Sequence, residues 1–158
     1  MKHKRLVLIA VFALLITLAG TGAVFHQTAF AHSGGGTGTL TASGSGLAGI
    51  RGSGNVTISG NGILWIKDYA GDANIHVSGN GVRHEMSNGW IRYTGFRGQA
   101  QVSGSDISVA LSGYDIHLVA TGSGRFLLRG NGEYSVESDG VIIIRGQWTE
   151  RGKVLTLP

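Results

Sequence analysis

No cysteine occurs anywhere in the chain. Disulfides are thereby excluded as a source of stability, and so is a lipid-modified cysteine as a membrane anchor. Proline occurs once, as the last residue, Pro158. Acidic side chains are few, nine Asp and Glu against 13 Lys and Arg, for a formal charge of +4. Long apolar runs are scarce as well. Residues 6–19 form one, but its 14 residues fall short of the roughly 20 that a membrane-crossing helix needs. No later segment reaches spanning length. After Ala31 no stretch repeats its apolar residues every 3.6 positions, so almost no helix is expected there.

The apolar run sits in a recognisable order. Lys2, His3, Lys4 and Arg5 precede it, and Ala29-Phe30-Ala31 offers a small-x-small cleavage site ahead of His32. This is the layout of a secretory signal peptide over residues 1–31, with a retained anchor as the alternative. Without that leader the chain keeps ten basic residues, the 13 less Lys2, Lys4 and Arg5, against all nine acidic ones. The remaining charge of +1 removes the case for nucleic acid as a partner. Residues 32–39, beginning HSGGGTG, read as a flexible lead-in. Residues 40–158 then suit one domain.

What the chain has in abundance is glycine, 28 residues of it. Much of it falls in short tetrads: SGSG at Ser43, SGNG at Ser59 and Ser78, SGSD at Ser103, SGYD at Ser112, TGSG at Thr121 and RGNG at Arg129. From Ser103 the phrases start at 103, 112, 121, 129 and 138, so the steps are 9, 9, 8 and 9. Between them lie alternating apolar segments. Ile107, Val109 and Leu111 share one face, and Ile116 and Leu118 another, with His117 turned outward. Period-two alternation rich in β-branched residues predicts half-buried strands. The tetrads then read as corners, where glycine tolerates positive φ and Asn-Gly favours tight turns. The expected class is all-β. A glycine-cornered β-solenoid with coils of about 17–18 residues is the first reading, and an antiparallel meander sandwich the alternative.

Several chemistry-bearing patterns are incomplete. Gly44-Ser45-Gly46-Leu47-Ala48-Gly49 matches GxGxxG, but another corner follows it instead of a helix, so no dinucleotide site is expected. His84-Glu85-Met86-Ser87-Asn88 lacks the second histidine of HExxH and sits in a strand-like stretch. There is no GxSxG nucleophile elbow and no clear carboxylate pair for glycan cleavage. Asp106 and Asp115 take equivalent corner positions, read as hydrogen-bonded caps. An 18-residue coil would set Asp115 beside Glu133, the one weak candidate for holding a cation. His76, His84 and His117 share no spacing and read as solvent-facing strand positions. No cofactor is implied.

Aromatic residues remain. Residues 90–97, WIRYTGFR, hold the densest mixture of aromatics and arginines. Trp90, Arg92, Tyr93, Phe96 and Arg97 are therefore the candidate binding surface, with core filling as the competing use of each ring. At the C-terminal end, Val141-Ile142-Ile143-Ile144 is expected to be interior. Residues 145–158 should cap it, with Gly152 at a turn and Trp148 across the end of the stack.

The phrases SGSG, GSGNV, SGNGI, SGNGV and TGSG resemble those of the auto-transporter adhesin head (GIN) domain family of bacterial exported proteins, over residues 40–138. That resemblance implies a right-handed β-helix and no catalytic residues. Aspartate rarely follows the second glycine here, unlike in that family. The expectation is an exported, non-enzymatic β-repeat protein with a structural or adhesive role at or outside the cell envelope. Its partner would be a cell-surface glycan or an envelope protein. The alternative is a carbohydrate-binding module using residues 90–97.

Overall fold

The computed structural model describes residues 37–158; the expected leader and residues 32–36 of the lead-in lie outside the described residues. The described chain is all-β, as its alternation predicts. Five strands follow in order: β1 (Gly38–Asp68), β2 (Asn74–Glu85), β3 (Trp90–Ser138), β4 (Val141–Gln147) and β5 (Lys153–Leu157). Among the described residues no helix is long and apolar enough to cross a membrane.

Every ladder between named strands is antiparallel. β1 and β3 pair in two registers at once. Leu40 faces both Ala120 and Val136, while Ala120 faces both Leu40 and Val56. Leu40 and Val56 thus flank one residue from either side, about 10 Å apart, although sixteen extended residues would span about 50 Å. β1 must therefore double back between them. It does so at the tetrads, and the chain runs straight between corners. One set of segments pairs in the order 82–85, 90–94, 63–67, 107–112, 47–51, 125–129 and 153–157. A second set pairs as 74–78, 99–103, 55–59, 117–121, 39–43, 133–137 and 141–147. Leu40, Ile58 and Leu118 of the second set meet Ile50, Leu64, Val109 and Phe126 of the first in one apolar core. The antiparallel ladders suit the meander alternative, and the sixteen-residue return suits a coil.

The corners are crossings of backbone on backbone. At Gly46 an added Cβ would strike the Arg129 carbonyl and stand 2.9 Å from Gly130 Cα. At Gly130 it would strike the Ser45 carbonyl and stand 3.0 Å from Gly46 Cα. Gly52 with Gly124, Gly54 with Gly122 and Gly62 with Gly113 repeat this reciprocal contact. Glycine is thus needed on both chains at these crossings, for space as much as for conformation. Asp106, Asp115 and Asp139 hold positive φ of 49°, 54° and 52°, the left-handed region that aspartate tolerates better than most residues.

The C-terminal end departs from expectation. Val141, Ile142 and Ile143 are 63%, 43% and 52% exposed, not interior. β4 is the outermost segment of its layer and has a partner on one flank only. Its register with β3 also slips by one residue: Val136 faces Ile144 but Glu137 faces Ile142. The extra residue, Ile143, breaks the alternation, and only Ile144 of the run packs against the core. The rest of the segment does act as a closure. Trp148 is buried and its Nε1 donates to the Glu133 carbonyl at 3.1 Å. Gly152 turns the chain at φ 81°, and Leu157 enters the core.

Candidate functional site

Within the layer containing segment 63–67, one side faces the core through Leu64 and Ile66. The opposite side carries Trp65 and Lys67, and Tyr69 follows directly after β1. Cross-strand pairing decides what stands beside them. Trp65 lies between Arg92 and Ala110, and Lys67 between Trp90 and Ser108. Ser108 in turn faces Arg51, which faces Arg125. Small residues in the middle strands leave room for the long side chains to lean over them. Leu47, Ala110, Leu127 and Trp90 are buried yet stand outside the main core cluster, so this outer face has apolar packing of its own.

The aromatic rings of this face meet edge to face. Trp65 and Trp90 have centroids 6.2 Å apart at 86°, and Tyr69 and Trp90 are 6.4 Å apart at 84°. Cations cover them. The Arg51 guanidinium lies 4.1 Å from the Tyr69 ring centre and Lys67 Nζ 4.5 Å from it. Arg92 lies 5.4 Å from the centre of Trp65. Such contacts hold a charge near the surface without a carboxylate. Arg51 alone has one, Asp106, at 2.9 Å and 3.2 Å. That hydrogen bond, against the opposing effect of burial, raises the Arg51 pKa above its ordinary value.

Four buried side-chain polar atoms lack a hydrogen-bond partner among the described residues, and three are here: Trp65 Nε1, Tyr69 Oη and Arg92 Nε. The fourth is Tyr134 Oη. Buried polar groups are nearly always paired, so a concentration of unpaired ones marks a place to look for a ligand.

The residues singled out from the sequence divide between two faces. Trp90 and Arg92 join the cluster. Phe96 is 2% exposed, in the core, which removes it from the binding surface. Tyr93, half-buried, packs against the core with its ring centre 6.3 Å from that of Phe96. Trp90 is itself 9% exposed and serves as the floor of the cluster more than as its rim. Arg97 is exposed and donates from Nε to Asn61 Oδ1 at 2.9 Å. Trp65, Lys67, Tyr69 and Arg51 were missing from the sequence-based surface. Their signal is the alternation of Trp65, Lys67 and Tyr69 opposite the apolar Leu64 and Ile66. Asp115 and Glu133 are not register neighbours. Over this stretch β3 returns in sixteen residues rather than 18, so Glu133 shares Ser43 with His117, while Asp115 accepts from Asn61 Nδ2 at 3.3 Å. Among the described residues no three His, Asp, Glu or Cys side chains gather closely enough to hold a metal ion. His84 Nε2 lies 3.3 Å from Thr94 Oγ1.

The loop after β1 positions Tyr69. Asp68 accepts backbone N–H bonds from Ala70 at 3.1 Å, Gly71 at 2.8 Å and Ala73 at 2.9 Å. The Ala73 bond is the largest of the effects that hold its pKa below the ordinary carboxylate value. A depressed carboxylate stabilises the fold above its unfolded pKa and loses that contribution as pH falls through the folded one. Near-ultraviolet circular dichroism from the Tyr69–Trp90 pair should therefore weaken only below the ordinary carboxylate range. Asp68→Asn should show the weakened signal already at neutral pH; an unchanged acid transition in that variant would remove Asp68 from the account.

No family model, curated protein or solved structure matches the chain, so the reading of this face stands on its own chemistry.

Proposed function

We propose that this chain is an exported, non-enzymatic β-repeat protein with a structural or adhesive role at or outside the cell envelope, and that it holds a glycan on the outer face built from Trp65, Lys67, Tyr69, Trp90, Arg92 and Arg51. One observation carries the reading: three of the four unpartnered buried polar atoms converge on this single aromatic and cationic face. Tyrosine and tryptophan carry a hydrogen-bonding tip on an apolar body, and the oxygens of a glycan supply partners for the tips left unpaired here. The fold is read as a wound repeat in which β1 and β3 coil together, most of their crossings made by facing glycines. Export is read from the basic start, the apolar run and Ala29-Phe30-Ala31. A non-enzymatic role is supported by the engagement of five of the nine carboxylates. Asp68 binds backbone N–H groups, Asp72 binds Ser105, Asp106 binds Arg51, Asp115 binds Asn61 and Glu85 pairs with Arg83.

The test is a pull-down on a panel of immobilised polysaccharides with the wild-type chain and Trp65→Ala. Retention of the wild type with loss in the variant supports the reading. A wild type that no polysaccharide retains overturns it and leaves a purely structural role.

A further inference from the structure

We infer that the glycan held on this face is acidic, bound through its carboxylates, and that stacking of neutral sugar rings is not the mode of recognition. The inference rests on the glycan reading above and names the class of glycan. Three observations lead to it.

The ring surfaces that a neutral sugar would lie on are covered. Arg51 and Lys67 stand over Tyr69, and Arg92 stands over Trp65. What the face offers outward is charge, supported from beneath by aromatic rings.

That charge is unbalanced. The ion pairs among the described residues are Arg51 with Asp106 and Arg83 with Glu85. Lys67, Arg92 and Arg125 therefore have no carboxylate within ion-pair distance. Arg51 and Arg125 also stand directly opposite one another across the ladder, an arrangement in which like charges destabilise a sheet. Along this row, Lys67, Ser108, Arg51 and Arg125 occupy successive strands, so the cations extend over three strand spacings, about 14 Å. A chain of linked acidic sugars spans such a row, whereas a single ring does not.

The unpartnered groups fit the same ligand. Trp65 Nε1 and Arg92 Nε are N–H donors without an acceptor, and an ionised carboxylate is an acceptor only. Arg92 is the side chain lying over Trp65, so a carboxylate that draws the guanidinium aside meets both donors. Nucleic acid fits less well. Its bases need open aromatic faces, and the chain without its expected leader carries only +1.

The decisive comparison uses polygalacturonate and its fully methyl-esterified form, which share a backbone but not a charge, with inorganic polyphosphate as a third probe. Isothermal titration of the purified chain should show binding to polygalacturonate that weakens about tenfold on moving from low to high salt, as for charge-led association. Lys67→Gln and Arg125→Gln should each weaken it about threefold, the effect of one exposed ion pair, while Arg97→Gln should not. Melting curves of all three variants confirm that each is folded, and the salt dependence of the wild type stands even if one is not. Equal binding to the esterified polymer would overturn the acidic assignment and leave the glycan reading intact. Equal binding to polyphosphate would reduce the face to a simple cation surface and overturn the assignment too. Failure to bind either galacturonan, alongside no retention on the polysaccharide panel, would remove the glycan reading itself.

Discussion

Gly62→Val is expected to destabilise the fold by about 2–6 kcal/mol or more. Gly62 holds φ +152°, and a Cβ there would strike the Ser112 carbonyl and stand 2.8 Å from Gly113 Cα. Every atom in the way is backbone, so no rotamer change relieves the clash. Gly113 cannot yield either, because a Cβ built on it meets the Asn61 carbonyl in return. The conformational strain costs about 1–3 kcal/mol and the overpacking about as much again, or more because the obstacle is rigid. Against a total stability of about 5–15 kcal/mol, that is a large fraction, and it unfolds the chain outright where the stability lies at the lower end. Gly140→Ala is the matched control. Its φ is +77°, yet nothing stands within 4 Å of the added carbon. It should cost only about 1–2 kcal/mol, the price of a left-handed residue alone. Chemical denaturation of both variants separates the two effects. If Gly62→Val unfolds with the same midpoint as Gly140→Ala, the tetrads are ordinary turns and the crossings are not crowded.

The distinction bears on what the sequence conveyed. Alternation such as Ile107, Val109 and Leu111 is local, set by the two-residue period of a strand, and it was legible. So was the corner role of the tetrads. Pairing was not legible, because a Ser-Gly phrase looks the same whether the neighbouring segment runs parallel or antiparallel. The direction is decided by which glycine meets which, and Gly46 meets Gly130 from 84 positions away. The sixteen-residue return of β1 was obscured for a related reason, since β3 returns in 18, 17 and 16 residues along its length. Phrase spacing in β3 counts bulged corner residues such as Asp106 and Asp115, which the register with β1 skips. The candidate site was missed in part because contiguous residues were weighed together. A sheet face is assembled from every second residue of several strands. Alternation sends Tyr93 toward the core while Arg92 stays outside, and Trp65 joins Arg92 from a strand 27 positions earlier. The Val141–Ile144 run misled because apolar character was equated with burial, whereas a segment at the end of a layer has only one neighbour.

Deleting residues 145–158 is expected to convert the protein into β-aggregate, and the structure identifies the surface responsible. The cut removes Trp148 and Leu157, which are 5% and 2% exposed, together with the half-buried Leu155. Losing a buried tryptophan and a buried leucine costs about 3–5 and 2–5 kcal/mol in comparable core truncations, which approaches the whole stability of a domain this size. It also strips β5 from segment 124–128, leaving an unpaired strand edge beside Phe126 and Leu128, both 0% exposed in the intact chain. Ile142 and Ile143 are a separate matter, because they are already exposed before any cut. Ile143→Lys in the full chain should change the unfolding free energy by no more than an ordinary surface substitution does, about ±0.5 kcal/mol. The same change in the truncated chain should fail to restore solubility, because the new edge lies at β5's former place. Thioflavin fluorescence and light scattering on the two truncated forms decide between the surfaces. Soluble monomer in the Ile143→Lys truncation alone would make β4 the adhesive strand and residues 145–158 its shield. Soluble monomer in both would make those residues dispensable. Aggregation of both, with the full-length variant unaffected, assigns the closure of the core to Trp148 and β5.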